Sequence, residues 1–365
     1  EVLLGKRTRM TSDVSRVNRS SAPLDLAGVD PRQAAYDVLR HPTVGSKRFL
    51  VTIADRTVGG LTHRDQMVGP WQVPVADVAV TLADFVGFSG EAMASGERMP
   101  LAAIDAPASG RMAVAEAITN LLAAPIELSR VKLSCNWMAA CGEEGEDAAL
   151  YDTVRTVAME LCPALGVSVP VGKDSLSMRT TWTTDSGELR KVLSPVSLVV
   201  TAFVSVPDVR GTLTPELVGG REGASQSVLI RVDLGAGQAR LGGSVLAQTR
   251  GVFGGAVPDL DDSQDLVRLV DGVNALRAAG LVTAYHDCAD GGLWATVVEM
   301  ALAGGCGVDL DIANVGELFA EELGVVLEVP RHRVDEALAV LAAAGLDSQT
   351  SVVGSVTAQR RIRVS

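Results

Sequence analysis

The sequence predicts an α/β (α+β) protein with mixed sheets in two successive blocks, and three observations lead there. Apolar strand-like runs alternate with helical periods along the chain. Hydrophobic residues make up 47% of the 365 residues and mean hydropathy is +0.25, yet aromatics are only 4%, so the interior must be Ala, Val and Leu packed closely. Residues 208–224 hold Pro and several Gly with little periodicity, which places a domain boundary there. At roughly 150 residues per domain the length suits about two. The expected division is therefore 1–207, a linker over 208–224, and 225–365.

Taken in order, residues 1 to 29 are polar and aperiodic until Asp30-Pro31, a capping Asp followed by Pro at the first helical position, opens a helix to Arg40. Arg48 to Ala54 and Val75 to Leu82 are predicted as short apolar strands, and Gly87 to Arg98 as a Gly-rich linker. A helix is expected over 108–123, a strand over Val131–Met138, and a helix from the acidic stretch Glu143–Asp147 through Leu161. Strand Val167–Val171 leads to Gly172-Lys173-Asp174-Ser175. The turn Asp185-Ser186-Gly187 predicts a hairpin between Leu176–Thr184 and Leu189–Leu193, and a β-rich run covers Val196–Val206. The second block predicts strands at 227–233, 281–285, 307–312, 324–329 and 350–357, with helices near 262–279, 291–303 and 331–344. In the last helix Val334, Ala337, Leu338 and Leu341 share one face, and Gly345 stands at its C-terminal stop.

Charge and cysteine usage exclude several function classes. The formal net charge is −12, and no run of Lys or Arg would track a phosphate backbone, so nucleic acid is not an expected partner. No uninterrupted stretch of 18 apolar residues exists, and Glu1 to Met10 lacks the apolar core of a signal peptide, so no membrane is expected and the compartment is predicted to be the cytoplasm. Five cysteines, Cys135, Cys141, Cys162, Cys288 and Cys306, show no CxxC pair and no zinc-ligand spacing with His, as reduced thiols would. None has a neighbouring His or an elbow turn to make it a glutaminase nucleophile. The start at Glu rather than Met, inside ordinary polar sequence, leads us to expect a piece of something longer.

Few residues could carry chemistry. Glu116 and Asn120 lie among Val114, Ala115, Ala117, Ile118, Leu121 and Leu122, so their helix is buried and a carboxylate there needs a cation. Their i, i+4 spacing puts both oxygens on one face, a hard donor set that suits Mg²⁺; a pairing of Glu116 with Arg111 or Lys132 explains the same letters. Asp77 sits in the apolar run VADVAVTL, as a buried ligand or on a solvent-facing side. Asp287 and Asp290 are placed between a strand and the Gly291-Gly292 opening of a helix, where amides and carboxylates meet a phosphate and its metal; an Asx turn with capping serves equally. His286 is a proton shuttle or a satisfied structural residue. Gly172-Lys173-Asp174-Ser175 lacks the spacing of a Walker loop, and no GxGxxG follows a first strand.

Longer strings go further. Arg64-Asp65-Gln66-Met67-Val68-Gly69-Pro70-Trp71-Gln72-Val73-Pro74, Asn136-Trp137-Met138-Ala139-Ala140, Gly145-Glu146-Asp147-Ala148, Glu160 to Gly166, Pro170 to Ser175, and His286-Asp287 with Asp290-Gly291-Gly292 run in order along the chain. Together they closely resemble the large, single-chain phosphoribosylformylglycinamidine synthases. The resemblance covers essentially the whole chain and points to the second of two tandem aminoimidazole-ribotide synthetase-like units.

That resemblance implies an N-terminal α/β domain supplying strands to a shared barrel, plus a C-terminal α/β domain. It implies ATP or ADP with Mg²⁺ held by Asp77, Glu116, Asn120 and Asp287, and Lys47, Ala76 and Ala289 beside the nucleotide. Ala289 departs from the Ser usual there, and Val325 from a second Gly. The implied reaction is a glutamine-dependent ligation that takes formylglycinamide ribonucleotide to its amidine in purine biosynthesis. Its partners would be the first synthetase unit and a glutaminase domain, and this unit alone is expected to bind nucleotide without completing the reaction. Two rival expectations are a stand-alone small-molecule kinase or cyclo-ligase acting as a homodimer, and a purely structural module. An unpaired sheet edge also leads us to expect a homodimer through residues 1–207.

Overall fold

The computed structural model describes residues 12–221 and 223–365. Residues Glu1 to Thr11 of the expected first block, and Glu222 of the expected linker, lie outside the described residues.

The first half runs α1 (Pro31–Arg40), α2 (Arg48–Ile53), β1 (Thr62–Arg64), β2 (Met67–Val68), β3 (Val73–Pro74), β4 (Ala79–Leu82), β5 (Gly90–Glu97), α3 (Ala106–Leu121), β6 (Lys132–Met138), α4 (Glu146–Arg155), α5 (Cys162–Leu165), β7 (Ser168–Ser175), β8 (Arg179–Thr183), β9 (Leu189–Leu193) and β10 (Ser197–Val206). A π-helical turn, Thr156–Leu161, joins α4 to α5. Six strands form one sheet in the order β1-β4-β5-β10-β6-β7, antiparallel except for the parallel β6–β7 pair. The sheet is open, with β1 and β7 at its edges.

The second half runs β11 (Ser227–Asp233), α6 (Val245–Thr249), α7 (Ser263–Ala278), β12 (Ala284–Cys288), α8 (Gly292–Gly304), β13 (Gly307–Leu310), α9 (Val315–Phe319), β14 (Gly324–Pro330), α10 (Val334–Ala343), β15 (Thr350–Thr357) and β16 (Ile362–Val364). Its sheet has the order β12-β14-β11-β15-β13-β16, with β13–β16 the parallel pair. Strand β11 is buried on both faces. Val228, Ile230 and Val232 join the core under α7 and α10, while Leu229 joins the one under α1 and α8, as the period-2 geometry of a strand requires.

Local chemistry explains most helix ends. Asp30 accepts from the Arg32 N–H at 3.0 Å and Asp105 from the Ala108 N–H at 2.9 Å, each with Pro in the first turn. Four expectations need correction. Arg48–Ile53 is a helix rather than a strand, and Phe49, Leu50 and Ile53 stay exposed; six residues, four of them apolar, carry too little periodicity to separate the two. Of Val75–Leu82 only Ala79–Leu82 pairs. His286 and Asp287 lie within β12, opposite Val326 and Val325 of β14, rather than after a strand. Their polarity interrupts the apolar pattern that would have marked this buried edge strand.

The fourth correction matters most for the site. Gly90–Glu97 is a strand rather than a linker, in which Gly90, Ala92, Ala94 and Gly96 point inward and Glu91, Met93 and Ser95 outward. The alternation is invisible by hydropathy because its inward members are the smallest residues. Their smallness is required: a Cβ on Gly96 would run into the Ala113 carbonyl and the Ala117 amide of α3, so the helix lies directly on the strand backbone.

The two halves are knit by buried polar ties. Tyr285, fully buried, donates its phenol to the Thr119 carbonyl at 2.6 Å, and Arg277 caps the Leu122 and Ala123 carbonyls at the end of α3. The crossing segment 207–226 is anchored as well. Leu217 is fully buried, and the buried Glu328 carboxylate accepts from Val218 N–H at 3.0 Å, Gly219 N–H at 2.7 Å, Ser227 Oγ at 2.6 Å and Thr283 Oγ1 at 2.7 Å. Glu328→Ala strands these donors in a dry setting and is expected to cost about 3 kcal/mol, measured as a lowered urea midpoint.

Candidate functional site

Of the acidic residues singled out in the sequence, Asp77 and Asp287 converge where the two halves meet, and Glu116 lies near enough to feel the charge of Asp287. Asp77 lies in the extended stretch entering β4, and its side chain is 0% exposed. Its Oδ1 faces His286 Nδ1 at 2.6 Å and accepts from the Asp287 N–H at 3.2 Å. The other ring nitrogen, His286 Nε2, meets Glu299 Oε2 of α8 at 2.8 Å. With a carboxylate on each nitrogen the imidazole is held by both ends. Burial pulls its pKa down, but Asp77 and then Glu299 outweigh that and raise it well above the ordinary value. His286 is thus a charged strut.

Two carboxylate oxygens, Asp77 Oδ2 and Asp287 Oδ2, are enclosed without any hydrogen-bond partner. Ligand atoms of Asp77, His286 and Asp287 all lie within 4.8 Å of one another. Burial, then the neighbouring Asp77 charge, pushes the Asp287 carboxyl well above the usual range. Glu116, 9% exposed, is pushed the same way by burial, with Asp287 and Asp290 adding to it and Arg98 opposing. Orphaned buried oxygens of this kind need an explanation, and a hard divalent cation supplies one. Since His286 spends both nitrogens on carboxylates, the free donor set is oxygen only, which fits Mg²⁺.

Glu116 and Asn120 are one helical turn apart on α3, and each reaches β5. Glu116 Oε2 accepts from the Glu97 N–H at 2.7 Å, and Asn120 Nδ2 donates to the Ser95 carbonyl at 3.2 Å. One turn of helix advances about 5.4 Å and two strand residues about 6.6 Å, so the spacings match across Gly96. Arg111 does not pair with Glu116 but forms a two-pronged bridge to Asp259, and the basic group whose charge acts on Glu116 is Arg98. Gly96→Ala is expected to push α3 off β5, lower thermal stability and weaken any ligand held by Glu116, as paired melting and titration experiments would read.

The nucleotide-side residues are less gathered. Ala76 adjoins Asp77 and donates its N–H to the Gln66 carbonyl at 3.3 Å. Ala289 lies in the turn after β12 and accepts from the Gly292 N–H at 2.9 Å. Lys47 is exposed, its ammonium donating to the Thr43 carbonyl at 3.0 Å and to that of Gly45. The expectation that the Gly291-Gly292 amides stand open for a phosphate is not met. Gly291 N–H is taken by Glu321 Oε1 at 2.8 Å and Gly292 N–H by Ala289.

Sequence reasoning missed Arg98 and Glu321, which tie the site's framework across the halves. Arg98, 3% exposed, donates to Glu321 Oε2 at 3.0 Å and to its carbonyl at 3.2 Å, and lies 3.6 Å from Asp290. Glu321 Oε1 also accepts from the Val245 N–H at 2.8 Å. Only the position of Arg98 after a strand of small residues, and of Glu321-Glu322 before an apolar strand, could have signalled them. Burial raises Glu321 to about 7 against the pull of Arg98. A folded-state value above the unfolded value of 4.5 means that the folded protein holds the proton longer, so this residue's contribution to stability declines as pH rises between 4.5 and about 7. The urea midpoint of the wild type should therefore fall more steeply over that interval than that of Glu321→Gln.

Comparison with known proteins bears on the fold. Residues 46–205 match the family described as the FGAR-AT PurM N-like domain, and residues 228–365 match the AIR synthase related protein C-terminal domain. The chain thus has the two-domain, AIR synthase-like α/β fold. Among solved structures it is similar to Thermotoga maritima PurL complexed with FGAR, with 13% identity, a TM-score of 0.64, and coverage of 92% of this chain and 51% of that one. PurL from the same organism complexed with ATP gives 13%, 0.61, 92% and 49%. E. coli HypE, a hydrogenase maturation protein, gives 17%, 0.50, 75% and 81%. At these identities the likeness is one of fold, and the chain spans about half the length of the PurL chains it matches.

Proposed function

We propose that this chain is the second synthetase unit of a phosphoribosylformylglycinamidine synthase, and that it holds a magnesium-bound adenine nucleotide where its halves meet. The observation that carries the reading is the pair of enclosed, unpartnered oxygens on Asp77 and Asp287, with the buried Glu116 beside them. The domain matches and the ATP and ADP complexes of PurL support it, as do the strings quoted from the sequence.

In this reading Asp77, Glu116, Asn120 and Asp287 hold the ion, and His286 fixes Asp77 by occupying its other oxygen. Bound magnesium neutralises phosphate charge. Ala76 and Ala289 border the nucleotide, and Lys47 offers a point charge to its phosphates once it leaves the loop carbonyls. Glutamine-dependent conversion of formylglycinamide ribonucleotide belongs to the whole enzyme, in which a first unit and a glutaminase domain accompany this one. The exposed edges β1 and β7 are where the missing unit, or a second copy of this chain, would add strands.

Calorimetric titration with Mg-ADP tests the site. Saturable binding is expected in the wild type, at least about tenfold weaker in Glu116→Ala and Asp287→Asn, and abolished by a chelator. Absence of binding, or variants that titrate like the wild type, would leave only a scaffold. For assembly, a dimer mass in light scattering at micromolar concentration is expected, and a monomer would refute that part.

A further inference from the structure

The string Gly69-Pro70-Trp71-Gln72 takes no part in the acidic site, yet its backbone is built with effort. Gly69 has φ +68°, and a Cβ there would run into the Ala303 carbonyl near the end of α8. Gln72 has φ 52°, a left-handed conformation that costs a non-glycine residue roughly 1 kcal/mol. The turn sets the edge of the Trp71 indole against Gly305, where any side chain would collide with Nε1. Although Trp71 is 53% exposed, its ring is therefore fixed.

Around that ring is a cleft of about 480 Å³ whose lining includes Arg48, Arg360 and Arg361. The Arg360 guanidinium lies 5.4 Å from the Trp71 ring centroid. Among the described residues neither Arg48 nor Arg360 has a carboxylate partner, and Arg361 reaches only Gln359 Oε1, at 2.8 Å. Many other arginines find acids, as in Arg111–Asp259, Arg240–Glu322 and Arg210–Asp208, while, among the described residues, scattered ones such as Arg64, Arg130 and Arg331 do not. In a chain with 44 acidic side chains against 32 basic ones, Arg48 and the consecutive pair Arg360-Arg361 bring three guanidiniums without a carboxylate partner to one cleft.

We propose that this cleft binds a small organic phosphate, separately from the acidic cluster. Planar guanidiniums match phosphate oxygens in forked geometry, and a fixed tryptophan beside them offers a flat apolar wall to the organic part. The volume lies within the range of small-molecule sites and exceeds what a bare phosphate ion fills. No residue of the acidic cluster lines it.

The test titrates the whole chain with ribose 5-phosphate and with AMP, in a chelator that keeps divalent cations from the acidic cluster. Tryptophan fluorescence and calorimetry are read in parallel. Saturable binding to at least one of the two is expected, with no response to ribose. Arg48→Gln/Arg360→Gln should weaken binding by at least about tenfold, while Arg190→Gln, an exposed substitution on β9, should leave it unchanged. Arg48 and Arg360 are exposed, so folding should survive; Arg360→Ala alone is the second variant, and its affinity should fall between the other two. A response that rises linearly, that sodium chloride at equal ionic strength reproduces, or that the double variant retains would overturn the proposal. Because no metal is present, that failure would leave the magnesium reading intact.

Discussion

The hydrogen bond between Asp77 and His286 is the constraint around which the rest is arranged. It joins the strand entry of one half to an edge strand of the other and brings buried carboxylates together. Charge gathered in this way repels itself, and the structure answers with cations from both sides. His286 balances Asp77 and Glu299, and Arg98 stands among Glu321, Asp290 and Glu116. Neither cation reaches the last oxygens of Asp77 and Asp287. The fold thus supports a concentration of buried carboxylates in which these two oxygens have no hydrogen-bond partner.

That economy explains why the halves meet as a packed interior rather than a loose contact. One hydrophobic core runs from α3 through to α7 and the inner face of β11, and the backbone carbonyls ending α3 are capped by side chains of the second half. A site shared between two sheets needs such stiffness, because a small displacement would separate ligands that originate far apart in sequence.

Much of this was legible from residues. The second-half strands followed their apolar runs closely, and Glu116 and Asn120 declared themselves by polarity inside an apolar helix. What escaped notice did so for physical reasons. Strand β5 hides its alternation in Gly and Ala, and α2 is an apolar run left exposed. Strand β12 carries His286 and Asp287 where so fully buried a strand would ordinarily be aliphatic. Arg98 and Glu321 were invisible because pairing over such a sequence distance leaves no local pattern, and the acceptors that occupy the Gly291 and Gly292 amides were hidden for the same reason.

The glycine and alanine face of β5 has a wider consequence. Where a helix rests on bare backbone there is no side-chain layer to trim or enlarge, so the distance between α3 and the sheet cannot be adjusted by degrees. Change in this part of the protein must then arise in the loops around it, while helix and sheet stay at one fixed separation.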